Sequence, residues 1–287
     1  MDDKAKMPCL SIFKRSSKAY AFLRRLILLP CESTLNLLLQ NLPLKPGYNE
    51  FYANHLRKVV EEMTHTERLC LVLWDEWALQ EGLHFDEKEH VIRGYEDFGE
   101  QHGTTDRPTD HCLNFLVRSL DKDAHWKFLF SYYLVSKTCP TDVLVQLIVE
   151  NIENLFALGL RPMASCCDQA STNWAAINKL IDAWKQLTGR YEPVYLVQGE
   201  PIVHFWDTPH LGKNLKNNWA KTHLYKSIAF EADGERKHAY WDHVVKLYEN
   251  DRDNFNVGFL TKEHIEPQGR QKMHVKLSLQ VLSSTVG

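Results

Sequence analysis

The sequence predicts an α/β protein built on a mixed sheet, antiparallel in its first part and alternating strand with helix in its second. Three observations predict this. Leu69 to Trp74 is an unbroken apolar run closed by Asp75, the pattern of a buried strand. Further strand-like runs then follow one another before any long helix. Beyond them, Thr141 to Leu158 carries apolar residues on a helical period, and Met163 to Cys167 is again a short apolar strand. Successive strands followed by strand–helix alternation place an antiparallel part beside a parallel one.

Taken in order, residues 1–16 show no clear periodicity and are expected to form a disordered tail. Ser17 to Leu29 reads as a helix stopped by Pro30. Glu32 to Asn41 is a second, closed by Pro43 and Pro46, and Asn49 to Met63 a third with apolar residues three and four apart. Residues 17–64 are thus a helical, helix-turn-helix-like segment, which serves as a cap on the next domain or as a DNA-contacting or dimer-forming module. The core expected over 65–206 opens with the Leu69 run. Gly82 to Phe85 and Val91 to Tyr95 flank Asp86-Glu87-Lys88-Glu89 as a hairpin. His111 to Leu120 and Phe128 to Val135 are strands. Thr141 is the expected N-cap of the long helix, with Gly159 just past its end. Ser171 to Leu187 is helical, and Tyr195 to Val197 and Ile202 to Trp206 are strands. Asp207 to Leu224 and most of the remainder to Gly287 read as helical.

Composition narrows the classes. With 287 residues, 44% hydrophobic and 25% charged, the chain can bury a sizeable core. Its formal net charge of -3 does not by itself point to nucleic acid. Charge is placed unevenly, with Lys4, Lys6, Lys14, Arg15, Lys18, Arg24 and Arg25 near the start and Lys213, Lys216, Lys221 and Lys226 in a second stretch. Such stretches track a phosphate backbone or are solvated helix faces. Seven scattered cysteines, several in apolar runs, argue for a reducing compartment, and no C-x2-C pair suggests structural zinc. No window approaches the length of a membrane-spanning helix, and no signal peptide is expected.

Two acids stand out by position. Asp75 closes the first apolar strand, where an ionised carboxylate is costly unless paired or bound to a cation. Asp168 directly follows another apolar strand, and ligands gather at strand ends in α/β sheets. If the two strands are neighbours the carboxylates converge, and such a pair suits Mg2+ and the two-ion chemistry of phosphodiester cleavage. On spacing alone, the plainer reading of each acid is a strand-end or helix-cap residue. A third cluster runs His204-Phe-Trp-Asp207-Thr-Pro-His210: Asp207 caps a helix, or Asp207 and His210 organise the edge of a site. Asn173, one turn beyond Asp168, orients that loop or is a surface amide. No phosphate loop, dinucleotide fingerprint, nucleophile elbow or H-E-x-x-H zinc motif is present.

The order of these features resembles the P-element and THAP-domain DNA transposases. Ala19 to Pro30 followed by Ser33-Thr34-Leu35 is similar to the helical segment ahead of that family's catalytic domain. Leu73-Trp74-Asp75-Glu76, then Gly82 to Asp86 and Ile92 to Gly99, resembles its first strand and hairpin. Leu158 to Asn173, containing Asp168, resembles its second catalytic block. Phe205 to Asn217 and Lys272 to Ser283 resemble parts of its GTP-binding insertion domain. The resemblance implies an RNase H-like mixed sheet with flanking helices and a helical N-terminal segment. It implies a partial, mainly helical insertion domain over 207–287. It also implies cut-and-paste transposition of DNA, Asp75 and Asp168 as catalytic ligands of Mg2+ or Mn2+, GTP as a non-hydrolysed cofactor whose site is expected to be incomplete here and whose contacts are unassigned, transposon-end DNA as partner, homo-oligomeric contacts and a nuclear location. The family's third acid follows the insertion, and Glu231, Glu235, Glu263 and Glu266 match no catalytic motif. The expectation is therefore a truncated transposase core lacking its third carboxylate and inactive alone, or alternatively a non-catalytic DNA-binding or regulatory derivative.

Overall fold

The computed structural model describes residues 3–40, 45–87, 90–221, 227–253 and 260–283. The Pro43 stop, the Lys88–Glu89 hairpin tip, Lys226 and the helix end at Leu224 lie outside those residues.

Four helices lead in: α1 (Asp3–Arg15), α2 (Ser17–Leu26), α3 (Glu32–Gln40) and α4 (Glu50–Glu61). The first corrects the expectation of a disordered tail. Its apolar residues find partners in the next two helices, since Cys9, Leu10, Tyr20 and Leu35 are buried together in a small cluster of their own. Phe13 meets Tyr20 edge-on at 5.5 Å, and the Tyr20 hydroxyl donates to the Pro30 carbonyl at 2.8 Å. Ser16 caps α2 and Asn49 caps α4 through side-chain oxygens.

The central sheet has eight strands: β1 (Leu69–Ala78), β4 (Tyr95–Asp97), β5 (Thr104–Pro108), β6 (His111–Ser119), β7 (Lys127–Val135), β8 (Arg161–Cys167), β9 (Val194–Val197) and β10 (Glu200–Trp206). Their order is β5-β4-β7-β6-β1-β8-β10-β9. β1, β6 and β7 are antiparallel neighbours, whereas β8 runs parallel to both β1 and β10. β2 (His84–Asp86) and β3 (Val91–Arg93) form a separate hairpin after β1. The mixed sheet that the sequence predicts is thus present, with its antiparallel part first.

Helices α5 (Thr141–Ala157) and α6 (Ser171–Thr188) supply the buried layer over the sheet. Cys70, Val72 and Trp74 of β1 point to the same face as Val117 and Phe115 of β6, and all are buried in one cluster with Leu144, Leu147, Ile148, Ile152, Leu155, Ala176 and Ile177. Burying a large aliphatic or aromatic side chain in this way contributes about 1.5–3 kcal/mol each. Gly159, with φ of +88°, closes α5 where the sequence placed a stop. Thr141 does not cap α5; Pro140 holds that position without a side-chain cap.

The last unit holds α7 (Thr208–Lys221), a hairpin of β11 (Ser227–Ala232) and β12 (Glu235–Tyr240), α8 (Trp241–Asp253), α9 (Lys262–Ile265) and α10 (Val275–Val281). The hairpin corrects the helical reading of this stretch. Asp233 and Gly234 both take positive φ, 57° and 74°, which is the two-residue turn that joins right-twisted strands.

Candidate active site

The parallel pairing of β1 with β8 brings the two predicted acids together. Leu73 is in register with Cys166, and Asp75 and Asp168 each lie two residues further along. The side-chain period of two then sends both carboxylates from neighbouring strands to the same side. Asp75 is exposed, and its Oδ1 accepts the Glu76 N–H at 2.9 Å. Dehydration by the surrounding strand ends raises the Asp75 carboxyl above its ordinary range, and the nearby charges of Asp168 and Asp207 push the same way, while His210 opposes them.

Asp168 is held rigidly. Its Oδ1 accepts the Ala170 N–H at 3.0 Å and the Asn173 Nδ2 at 2.8 Å. Asn173 is buried, and its Oδ1 accepts the Trp74 indole N–H at 2.9 Å. A chain of hydrogen bonds thus ties β1 to the loop carrying Asp168, through the residue next to Asp75. Asp168 does not occupy the cap of α6, a position held by Ala170.

Asp207 lies just after β10, its N–H bonded to the Cys167 carbonyl at 2.8 Å. Its carbonyl accepts the first bond of α7 from Leu211, so it stands at the helix entry as well as near Asp75. A short hydrogen bond joins Asp207 Oδ2 to His210 Nδ1. The structure therefore gathers Asp75, Asp168, Asn173, Asp207 and His210 at one end of the parallel strands.

Two features escaped the sequence reading. Glu76 accepts the Cys139 N–H at 3.2 Å, and burial raises its carboxyl, with Asp168 and Asp75 adding to the effect. Its adjacency to Asp75 in an apolar strand was the available signal. Beneath the site, Tyr195 donates to Ser165 Oγ at 2.9 Å, and Ser165 Oγ is 2.9 Å from His204 Nδ1. Burial lowers His204 to a pKa of about 4, so its ring is neutral at neutral pH. These three residues lie far apart in sequence, with nothing local to join them.

The donor set fits a hard divalent cation. The two carboxylates lie near enough for the Asp168 charge to act on Asp75, and neither forms an ion pair with Lys or Arg among the described residues. No group of three or more His, Cys, Asp or Glu is arranged to hold a metal among those residues.

Residues 44–181 match the family of TNP-like RNase H N-terminal domains. The human protein DNA transposase THAP9 is 24% identical over 240 residues, which are 83% of this chain and 26% of that protein. Among solved structures, a chain of the Drosophila P element transposase strand transfer complex superposes with a TM-score of 0.72 at 18% identity, covering 100% of this chain and 58% of that one. This chain therefore spans about a quarter of its curated relative and just over half of the solved chain.

Proposed function

We propose, for a chain that belongs to the P-element and THAP-domain transposase family, that its RNase H-like sheet is a metal-dependent core for DNA cleavage and strand transfer. The observation that carries this is the register of β1 on β8, which delivers Asp75 and Asp168 to one end of adjacent parallel strands. These two side chains would hold Mg2+ or Mn2+. When bound, such a cation supplies charge stabilisation at the phosphodiester and activates the attacking water or hydroxyl.

The protein's own residues prepare that point. Asn173 fixes one oxygen of Asp168, and Trp74 fixes Asn173, so the carboxylate loses little freedom when it is used. Asp207 Oδ2 is hydrogen-bonded to His210 Nδ1, which fixes the imidazole at the edge of the site. The partner would be DNA, with homo-oligomeric contacts and a nuclear location proposed from the family. GTP would belong to the unit over 207–287.

One observation favours a second reading, a non-catalytic DNA-binding or regulatory protein. Although Asp207 lies near the pair, no group of three or more His, Cys, Asp or Glu among the described residues is arranged to hold a metal ion. The two are separated by incubating residues 1–287 with Mn2+ and labelled duplex DNA across salt concentrations. Retarded DNA without cleavage supports the second reading. Cleavage or strand transfer lost in Asp75→Asn supports the first. Absence of any DNA binding at low salt removes both.

A further inference from the structure

We propose that Trp174 is a stacking platform for one unpaired nucleobase of a DNA strand at the Asp75/Asp168 edge, a contact that rests on the DNA-processing reading above. Trp174 stands in the first turn of α6, directly after the Asn173 that binds Asp168. Trp174 is 47% exposed, so part of its ring is open to solvent. One face is covered by Trp206, with ring centroids 5.3 Å apart and planes within 22°. Trp206 in turn meets the edge of buried His204 at 4.6 Å, and His204 lies 5.9 Å from Trp74, which stacks on Phe115 at 5.8 Å. Five rings thus run from the sheet core to the surface, and the last presents its remaining area to solvent.

This arrangement has the properties of a base platform. The rings behind Trp174 hold it in place, so stacking a further ring on it costs little side-chain entropy. Every nucleobase has a flat π-face, and a base stacked on an indole is held without regard to sequence. Bases inside a duplex already stack on both faces, so the platform selects an unpaired or displaced base. Its position fixes what the selection achieves. Trp174 follows the residue that orients Asp168, and Trp206 precedes Asp207, so a base seated there anchors its own strand beside the carboxylates. Trp174 is on this account a positioning residue that sets which phosphate reaches the metal ligands.

The test uses the full chain and two labelled DNAs, a blunt duplex and the same duplex with a short unpaired flap, measured by fluorescence anisotropy. Trp174→Ala should weaken flap binding by about tenfold and leave duplex binding unchanged, while Trp174→Phe retains most of the affinity. Tyr191→Ala, an exposed aromatic beyond the far end of α6, should change neither. Unchanged flap binding in Trp174→Ala overturns the proposal, as does equal weakening on both DNAs. A measurement on the unaltered protein is independent of whether the variant folds: 2-aminopurine in the flap should be quenched on binding, and an unquenched probe in a formed complex overturns the proposal. If the unaltered protein binds neither DNA, the DNA-processing reading fails and takes this inference with it.

Discussion

Replacing Asp75 by Asn removes one of two crowded like charges while keeping the shape of the side chain. A carboxyl already pushed upward by dehydration and by Asp168 contributes nothing to stability by ionising. The Asp75→Asn chain should therefore melt at the same temperature as the parent or higher, while losing Mn2+ binding measured by calorimetry. A clear drop in melting temperature would mean that the carboxylate serves the fold instead. Asn173→Ala should behave in the opposite way. It strips the buried Trp74 N–H of its acceptor and Asp168 of a donor, at a cost of about 1–3 kcal/mol in urea unfolding, and weakens Mn2+ binding without abolishing it. His204 sets an acid limit. Its folded pKa of about 4 lies below the ordinary 6.5, so the unfolded chain binds the extra proton first. The stability this group contributes is complete above pH 6.5 and is lost as pH falls from there to about 4. The loss amounts to about 3 kcal/mol, and in His204→Gln that part of the pH profile should be flat.

Among the elements, the β2–β3 hairpin depends on a close backbone approach. Gly94 has φ of +105°, and a Cβ there would lie 2.3 Å from the Gly82 carbonyl oxygen, which is backbone and cannot swing aside. Gly103 has φ of +76° with nothing within 4 Å of a Cβ. Gly94→Ala should therefore destabilise by more than Gly103→Ala, about 1 kcal/mol or more beyond the shared φ strain, in parallel urea titrations. Equal losses would show that the Gly82 approach relaxes freely. The same elements show what the sequence made legible. β1, β8, α5 and α6 were readable because their burial comes from continuous apolar runs or an unbroken helical period, and those four elements position Asp75, Asp168 and Asn173. β5 was not, because Thr104–Pro108 is a polar edge strand paired only on one side, to β4. The β11–β12 hairpin carried its signal in Asp233-Gly234, but the flanking residues lack clean alternation and a helical reading prevailed. α1 was missed because its buried face is completed by Tyr20 and Leu35, outside any local window. The Trp74–Asn173–Asp168 link spans 99 positions at its first step, a distance over which no pattern in the chain reports.

At the scale of the whole molecule, a formal net charge of -3 means that long-range attraction to DNA cannot come from the protein as a bulk polyion. Any affinity must come from charges grouped on one side. The first two helices carry the candidates: Lys14, Arg15, Lys18, Arg24 and Arg25 are all exposed, with Arg24 and Arg25 in the last turn of α2. Their helices pack around a separate small core and, among the described residues, share no buried cluster with the sheet, so the basic surface can be altered without touching the carboxylate end. Phosphate neutralisation releases counterions, and log affinity then falls linearly with log salt, at a slope near 0.9 per phosphate contacted. Changing Arg24 and Arg25 together to Glu should weaken binding of duplex DNA at low salt and reduce that slope by about two. The melting temperature should be nearly unchanged, because both side chains are solvated. The Asp75→Asn chain should keep the full slope, since an aspartate neutralises no phosphate and its removal takes away no phosphate contact. If the Arg24/Arg25 variant binds with the parent's affinity and slope, the lead-in helices are a structural cap and DNA attraction lies elsewhere. If the slope falls as expected, residues 1–287 combine a DNA-tracking surface with a separately addressable carboxylate pair, which is the division of labour a strand-transferring core requires.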